Sequence, residues 1–181
     1  MIIVGDKSFV PFIERKAIEE RVAALAFQIS RDYQAECPLL VGVLNGAFMF
    51  AADLMKEISI PCEISFVKVS SYQRVASTGR INQLIGLQEN ITGRHVVIVE
   101  DIVDTGLTMS EILKDLHKQD PRSVEIATLL FKPEALRKAI QPRYVGFEID
   151  NRFVVGYGLD YNGLGRNLAD LYVLKEEPGV A

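Results

Sequence analysis

A chain of 181 residues with 49% apolar and 24% charged side chains has the profile of one compact domain with a substantial core, which excludes disorder as its main state. Its 20 basic and 24 acidic residues leave a net charge of -4, with no lysine or arginine run to follow a phosphate backbone, so nucleic acid is excluded as the first partner. No basic start leads into a long apolar stretch, and no later segment is apolar over a membrane-spanning length, so a cytoplasmic protein without a membrane partner is expected.

Ile18, Val22, Leu25, Ala26 and Ile29 recur at helical spacing and predict one amphipathic helix between Pro11 and Gln34. "PLLVGVL" (Pro38 to Leu44) is an apolar run of strand length, "FMFAADLMKEI" has helical periodicity, and "CEISFVKVSSY" alternates as a strand does. The stretch from Gln73 to Arg94 is polar, holds three glycines and is too long for an ordinary connection, so a mobile flap is expected; a β-hairpin around "STGR" is compatible with it. "HVVIVE" then predicts a strand, "LTMSEILKDLHKQ" a helix ending before Pro121, "SVEIATLLF" a strand, and "PEALRKAI" a helix opened by proline. Strands alternating with helices imply an α/β fold whose parallel sheet is covered on both faces. From Tyr144 to Glu177, short strands and many turn residues predict a small hood on that sheet. Within a single domain, 1–181, the core is expected at about 36–145, the hood in the N-terminal segment and about 146–181, and the flap at about 70–94. Cys37 and Cys62 have no metal-ligand spacing and are expected as small buried hydrophobes; His95 and His117 are expected in solvent.

The segment "VVIVEDIVDTGLTMS" (Val96 to Ser110) ends an apolar run in Glu100 and Asp101. In an open parallel sheet, ligands bind outside the carboxyl ends of the strands, so position nominates this pair. Two adjacent carboxylates without water or cations cost on the order of several kcal/mol, which points to magnesium with a polyanionic ligand; zinc would want histidine and cysteine. The following "DTGLT" (Asp104 to Thr108) combines a turn-forming glycine, two hydroxyls and the free N–H groups of a first helical turn, a nest suited to a phosphate monoester. It is no nucleotide-binding P-loop, because G-x-x-x-x-G-K-[ST] is absent and Leu107 stands where the loop lysine would be.

This segment resembles the 5-phosphoribosyl-1-pyrophosphate (PRPP) motif of the type I phosphoribosyltransferases. "VGVLNGAFMFAADL", "VSSYQ", "LLFKP" and "VGFEIDNRFVVGYGLDYNGLGRNL" follow in the order seen in hypoxanthine(-guanine) phosphoribosyltransferases, from about Leu39 to Lys175. The resemblance implies the type I phosphoribosyltransferase fold, a central parallel sheet flanked by helices with a small hood and a flexible flap loop. The implied reaction is purine salvage: transfer of ribose 5-phosphate from PRPP to N9 of hypoxanthine, with guanine as a second base, giving IMP (GMP) and pyrophosphate. It also implies Mg2+ as cofactor, small-molecule substrates (PRPP and a 6-oxopurine), and a homodimer or homotetramer.

Site residues follow from the same resemblance. Glu100 and Asp101 are expected to face the ribose hydroxyls through magnesium, and Asp104, Thr105, Gly106, Leu107 and Thr108 to hold the 5-phosphate. Asp104 is the implied general acid/base at N7 of the purine. Leu44, Asn45 and Gly46 form the implied pyrophosphate loop, with a non-proline cis bond at Leu44-Asn45, and Arg166 is its arginine partner. Asn45 stands where the commonest pattern has lysine, so pyrophosphate binding is expected to depend less on that side chain. Lys132, Phe153, Val154 and Asp160 are the implied purine contacts: an ammonium for O6, a stacking ring, backbone groups for the base edge, and a carbonyl for a guanine amine. Asp160 is also the implied second metal position, and Ser71 and Tyr72 the flap pair that excludes water. The competing readings are a type I enzyme for xanthine or a pyrimidine, a non-catalytic PRPP-binding regulator, and a receiver domain. "LLFKP" and "RFVVGY" favour a 6-oxopurine over the other type I substrates; the regulator predicts a basic face or a DNA-binding segment, neither of which the sequence shows, and a receiver domain leaves the flap and hood unexplained.

Overall fold

The computed structural model describes residues 1–70 and 82–175. Six strands form the main sheet. Strands β3 (Leu39–Leu44), β4 (Glu63–Ser70), β6 (His95–Val103), β7 (Ser123–Phe131) and β8 (Tyr144–Glu148) run parallel, and β5 (Asn82–Ile85) lies antiparallel on the edge, in the order β5-β4-β3-β6-β7-β8. The strand period of two sends Leu40, Val97, Val99 and Ala127 to one face, where α1 (Arg15–Asp32) and α2 (Phe48–Glu57) cover them. Leu39, Val41, Val96, Ile98 and Ile126 go to the other face, against α3 (Leu107–His117). The helix stripe read from the sequence is the buried face of α1: Ile18, Val22, Leu25, Ala26 and Ile29 are all at most 1% exposed.

The hood is a second, wholly antiparallel sheet. Its order is β1-β2-β10-β9, from β1 (Ile2–Val4), β2 (Lys7–Ile13), β9 (Val154–Val155) and β10 (Leu171–Leu174). Thus the two ends of the chain close one sheet around Val4, Phe9 and Val155. The core sheet itself continues through β8 to Glu148.

Four expectations are corrected. "PEALRKAI" is a helix only over the single 3-10 turn Pro133–Ala135. Arg137 N–H donates to the Thr105 carbonyl, whereas a continuing helix would spend that N–H on the Pro133 carbonyl. The chain instead carries Leu136 and Ile140 over Gly106. Strand β6 does not stop at Glu100, the end of "HVVIVE", but runs to Val103, because Ile102 and Val103 still pair with Leu130 and Phe131 of β7. Cys37 is exposed and Cys62 only half-buried. His95 is no solvated side chain: its Nδ1 lies 2.6 Å from Ser123 Oγ and its ring meets Tyr33 edge-on. The expected hairpin is present in its strands, β4 and β5; Ser71, Tyr72 and the "STGR" tip lie outside the described residues.

Candidate active site

At the carboxyl ends of the core strands, three loops and the hood meet. Two adjoining cavities open there, of about 240 and 120 Å3. Asp101, Lys132, Phe153, Val154, Leu159 and Asp160 line the larger; Glu100, Thr105, Gly106, Thr108 and Met109 line the smaller. Ile102 and Asp104 belong to both.

The smaller cavity is built by the β6–α3 turn. Gly106 adopts φ +74°, and a Cβ there would stand 2.9 Å from Ile140 Cγ1, so glycine is required twice over. The turn releases α3 at Leu107, whose first-turn N–H groups have no intrahelical partner and face the loop. Leu107 itself points to solvent at 44% exposure, so only its backbone is available to a ligand.

Deeper in the strand, Glu100 and Asp101 stand together. Asp101 is 9% exposed, and its Oδ1 accepts the Ile102 N–H at 2.9 Å; Glu100 Oε2 is buried without a hydrogen-bond partner. Burial first, and then the adjacent Asp101 charge, push the Glu100 carboxyl well above the usual carboxylate range; burial raises Asp101 as well. A group raised in the folded state contributes stability that is fully present below its unfolded value and is lost as pH rises through its folded value. Glu100→Gln removes this titration without changing shape. At neutral pH the variant is therefore expected to melt about 2–4 °C above the parent in the absence of ligands, for roughly 1 kcal/mol of relieved burial. The difference should shrink toward zero near pH 4; a difference that does not vary with pH would contradict the assignment.

The pyrophosphate-loop candidates sit against this pair. The Leu44-Asn45 peptide is cis, as expected from the resemblance, and Asn45 is exposed. A Cβ on Gly46 would fall 1.5 Å from Asp101 Oδ2, so the glycine is what lets the carboxylate lie on the loop. From the other side the hood's Gly158, at φ +100°, approaches the Gly46 carbonyl so closely that a Cβ would stand 2.1 Å from it. Arg166 donates to the Gly158 carbonyl at 2.7 Å and pairs with Asp160 Oδ1 at 2.5 Å, while Asp160 Oδ2 accepts the Gly163 N–H at 2.7 Å. Each Asp160 carboxylate oxygen therefore has one partner, Arg166 or its own turn, and keeps a lone pair for a further donor.

In the larger cavity Lys132, 6% exposed, donates from Nζ to Asp104 Oδ2 at 3.0 Å and reaches Asn151 Oδ1 at 3.5 Å. Phe153 is 46% exposed and forms one wall. Its carbonyl accepts the Leu174 N–H at 2.8 Å, so the alternation of an antiparallel ladder turns the N–H and C=O of Val154 away from β10, to the open edge of β9. The two cavities thus bring together Glu100, Asp101, Asp104, Thr105, Gly106, Thr108, Lys132, Phe153, Val154 and Asp160; Gly46 and Arg166 touch them through Asp101 and Asp160, and Leu44, Asn45 and Leu107 line neither cavity. Sequence reasoning missed Asn151, Ile102 and Tyr161, the last of which packs on Phe153. Asn151 stands two residues before Phe153 in "NRF", the one local signal for it; Tyr161 had none, because Asp6, Lys7 and Phe9, which hold it, lie at the other end of the chain.

Comparison with known proteins gives the family and the fold. Residues 13–162 match the phosphoribosyl transferase domain family. The hypoxanthine-guanine phosphoribosyltransferase of Streptococcus pneumoniae is 44% identical over 166 residues, 91% of this chain and 92% of that protein. A crystal structure of a hypoxanthine-guanine phosphoribosyltransferase from Bacillus anthracis superposes with a TM-score of 0.88 at 36% identity, covering 94% of this chain and 99% of that one. The Trypanosoma cruzi hypoxanthine phosphoribosyl transferase, whose C-terminal region has been studied for its role in oligomeric state and enzymatic activity, gives 0.87 at 34% identity, over 96% and 95%. The chain is an enzyme that belongs to the hypoxanthine-guanine phosphoribosyltransferase family of the type I phosphoribosyltransferases.

Proposed function

We propose that this enzyme transfers ribose 5-phosphate from PRPP to N9 of hypoxanthine, and of guanine, in purine salvage. One observation carries the reading: Asp104 lines both cavities, so a single carboxylate faces the site of the base and the site of the sugar phosphate. The smaller cavity holds the 5-phosphate on the α3 N-terminus with the hydroxyls of Thr105 and Thr108. The larger takes the base, stacked on Phe153 with its edge against the Val154 backbone. Lys132 has three N–H donors and spends two on Asp104 and Asn151, which leaves one for an exocyclic oxygen at C6. Adenine carries an amine there, a donor facing a donor.

As N9 attacks C1′ the bond to pyrophosphate breaks, and the proton on the imidazole part of the purine passes to Asp104. Arg166 and the backbone of the loop at Leu44 to Gly46 receive the leaving pyrophosphate, and Asn45 contributes main chain only. We propose magnesium at Glu100 and Asp101, with Asp160 reaching a second ion through water. The donor set supports it: an unpartnered buried carboxylate oxygen, a second carboxylate beside it, and oxygen chemistry alone. Among the described residues no cluster of three or more His, Cys, Asp or Glu is able to hold a metal by itself, so the remaining ligands would come from substrate and water. When bound, the ion supplies charge neutralisation at the ribose and pyrophosphate oxygens.

Self-association is also proposed: Phe48 on α2 is 42% exposed and Phe66, whose ring lies over Gly42 near Ala51 of α2, is 36% exposed. A cytoplasmic location is favoured by two free thiols, and no described helix is long and apolar enough to cross a membrane. The test is a nucleotide-forming assay with PRPP and magnesium, run in parallel on hypoxanthine, guanine, xanthine and adenine. Conversion of hypoxanthine and guanine, with adenine rejected, is the expected outcome; adenine used as well as hypoxanthine would overturn the role of Lys132.

A further inference from the structure

Phe153 is a poor wall on its own. Nearly half of its surface is open, and a phenyl ring at the mouth of a cavity turns freely unless something holds its edges. Two rings hold it. Tyr161 meets it nearly perpendicular, at a centroid distance of 5.9 Å and 87°, and the fully buried Phe9 lies 6.3 Å from both. Phe9 is fixed by the hood core; Tyr161, half-buried against the same core, takes further anchors where its turn meets solvent.

Those anchors come from the turn between β1 and β2, 155 residues away. The Tyr161 hydroxyl donates to Asp6 Oδ1 at 2.8 Å, and Lys7 Nζ lies 5.7 Å from the ring centroid on its face. Gly5, at φ +61°, presents no Cβ where one would stand 3.3 Å from Tyr161 Cε1. The hydrogen bond also holds the Asp6 carboxyl below its usual range and the Tyr161 phenol above its own, as a stable contact would.

We infer that Tyr161, locked by Asp6, is a positioning residue for the purine: it fixes the Phe153 ring in the orientation against which the base stacks. The inference rests on the stacking role of Phe153 proposed above. It gives the N-terminal hairpin a part in base recognition, although no residue of that hairpin lines either cavity.

The experiment is a set of steady-state measurements, with hypoxanthine and PRPP varied separately, on the full chain and its Phe153→Ala, Tyr161→Leu, Tyr161→Phe, Asp6→Ala and Phe153→Ala/Tyr161→Leu variants. Tyr161→Leu should raise the KM for hypoxanthine about 3–10-fold, the range of one aromatic pair, with the KM for PRPP unmoved. Tyr161→Phe keeps the ring but loses the lock and should recover only part of that loss, leaving the KM about 2–3-fold above the parent's, and Asp6→Ala should match Tyr161→Phe, since both delete the same bond. In the double variant, Tyr161→Leu should add nothing to Phe153→Ala. An additive double variant, or a PRPP KM that rises in step, would show Tyr161 acting through the hood or Asp160 and overturn the inference. If Tyr161→Leu does not fold, the Tyr161→Phe and Asp6→Ala pair decides: a hypoxanthine KM equal to the parent's in both sinks it. If Phe153→Ala leaves the hypoxanthine KM unchanged, the stacking reading itself has failed; if it raises that KM while Tyr161→Leu does not, stacking stands and only the inference falls.

Discussion

Asp104→Asn is expected to slow nucleotide formation by about 10²–10⁴-fold while the protein still binds magnesium-loaded PRPP. The amide keeps the size of the carboxylate and one oxygen to accept the Lys132 ammonium, now at 3.0 Å, but it has no capacity to take up a proton. The loop itself does not depend on that side chain. Lys132 N–H donates to the Val103 carbonyl and Arg137 N–H to the Thr105 carbonyl, so the backbone on either side of Asp104 is held whichever residue stands there. The loss should therefore appear in turnover. Calorimetry with magnesium-PRPP, run beside the assay, separates the cases: unchanged turnover would remove Asp104 from the chemistry, and a parallel loss of binding would make it a loop-positioning residue instead.

The contact between Asp104 and Lys132 explains why the site was partly legible in the sequence and partly not. Each stands at the carboxyl end of a core strand or just past it, Asp104 after β6 and Lys132 after β7, and β6 pairs with β7 in register from His95 to Val103. Continuous apolar runs reveal such strands, and adjacency of parallel strands then places their ends together. The apolar run ends at Val99 and the predicted strand "HVVIVE" at Glu100; pairing with β7 continues to Val103, and the carboxylates are kept inside the strand. "PEALRKAI" failed for a related reason. Its local helical preference is outweighed by the backbone bond to Thr105 and by the packing of Leu136 and Ile140 on Gly106, both tertiary and both invisible to local pattern. Least legible were contacts between the chain's two ends, such as Tyr161 on Asp6, where nothing in either short turn announces the other.

The other large effect is expected from the smallest substitution, Gly46→Ala. An added Cβ would lie 1.5 Å from Asp101 Oδ2 and 2.3 Å from its Cγ, well inside contact distance, so the loop or the carboxylate has to move. The loop has no room to retreat: Ala47 behind it is fully buried, and the Gly46 carbonyl is already closely approached by Gly158 of the hood. Asp101 must therefore swing away, giving up its bond from the Ile102 N–H and its place beside Glu100. From the metal role proposed for Asp101 we expect a fall in affinity for magnesium-PRPP of about 10–100-fold, with a destabilisation of about 1–3 kcal/mol from overpacking. A cycle with Asp101→Ala identifies the cause. If the clash with Asp101 is responsible, Gly46→Ala should cost little stability once the Asp101 carboxylate is gone, because the space it occupied accepts the methyl. An undiminished cost in that background would mean that the loop resists a side chain for reasons of its own backbone, and that its closeness to Asp101 is incidental.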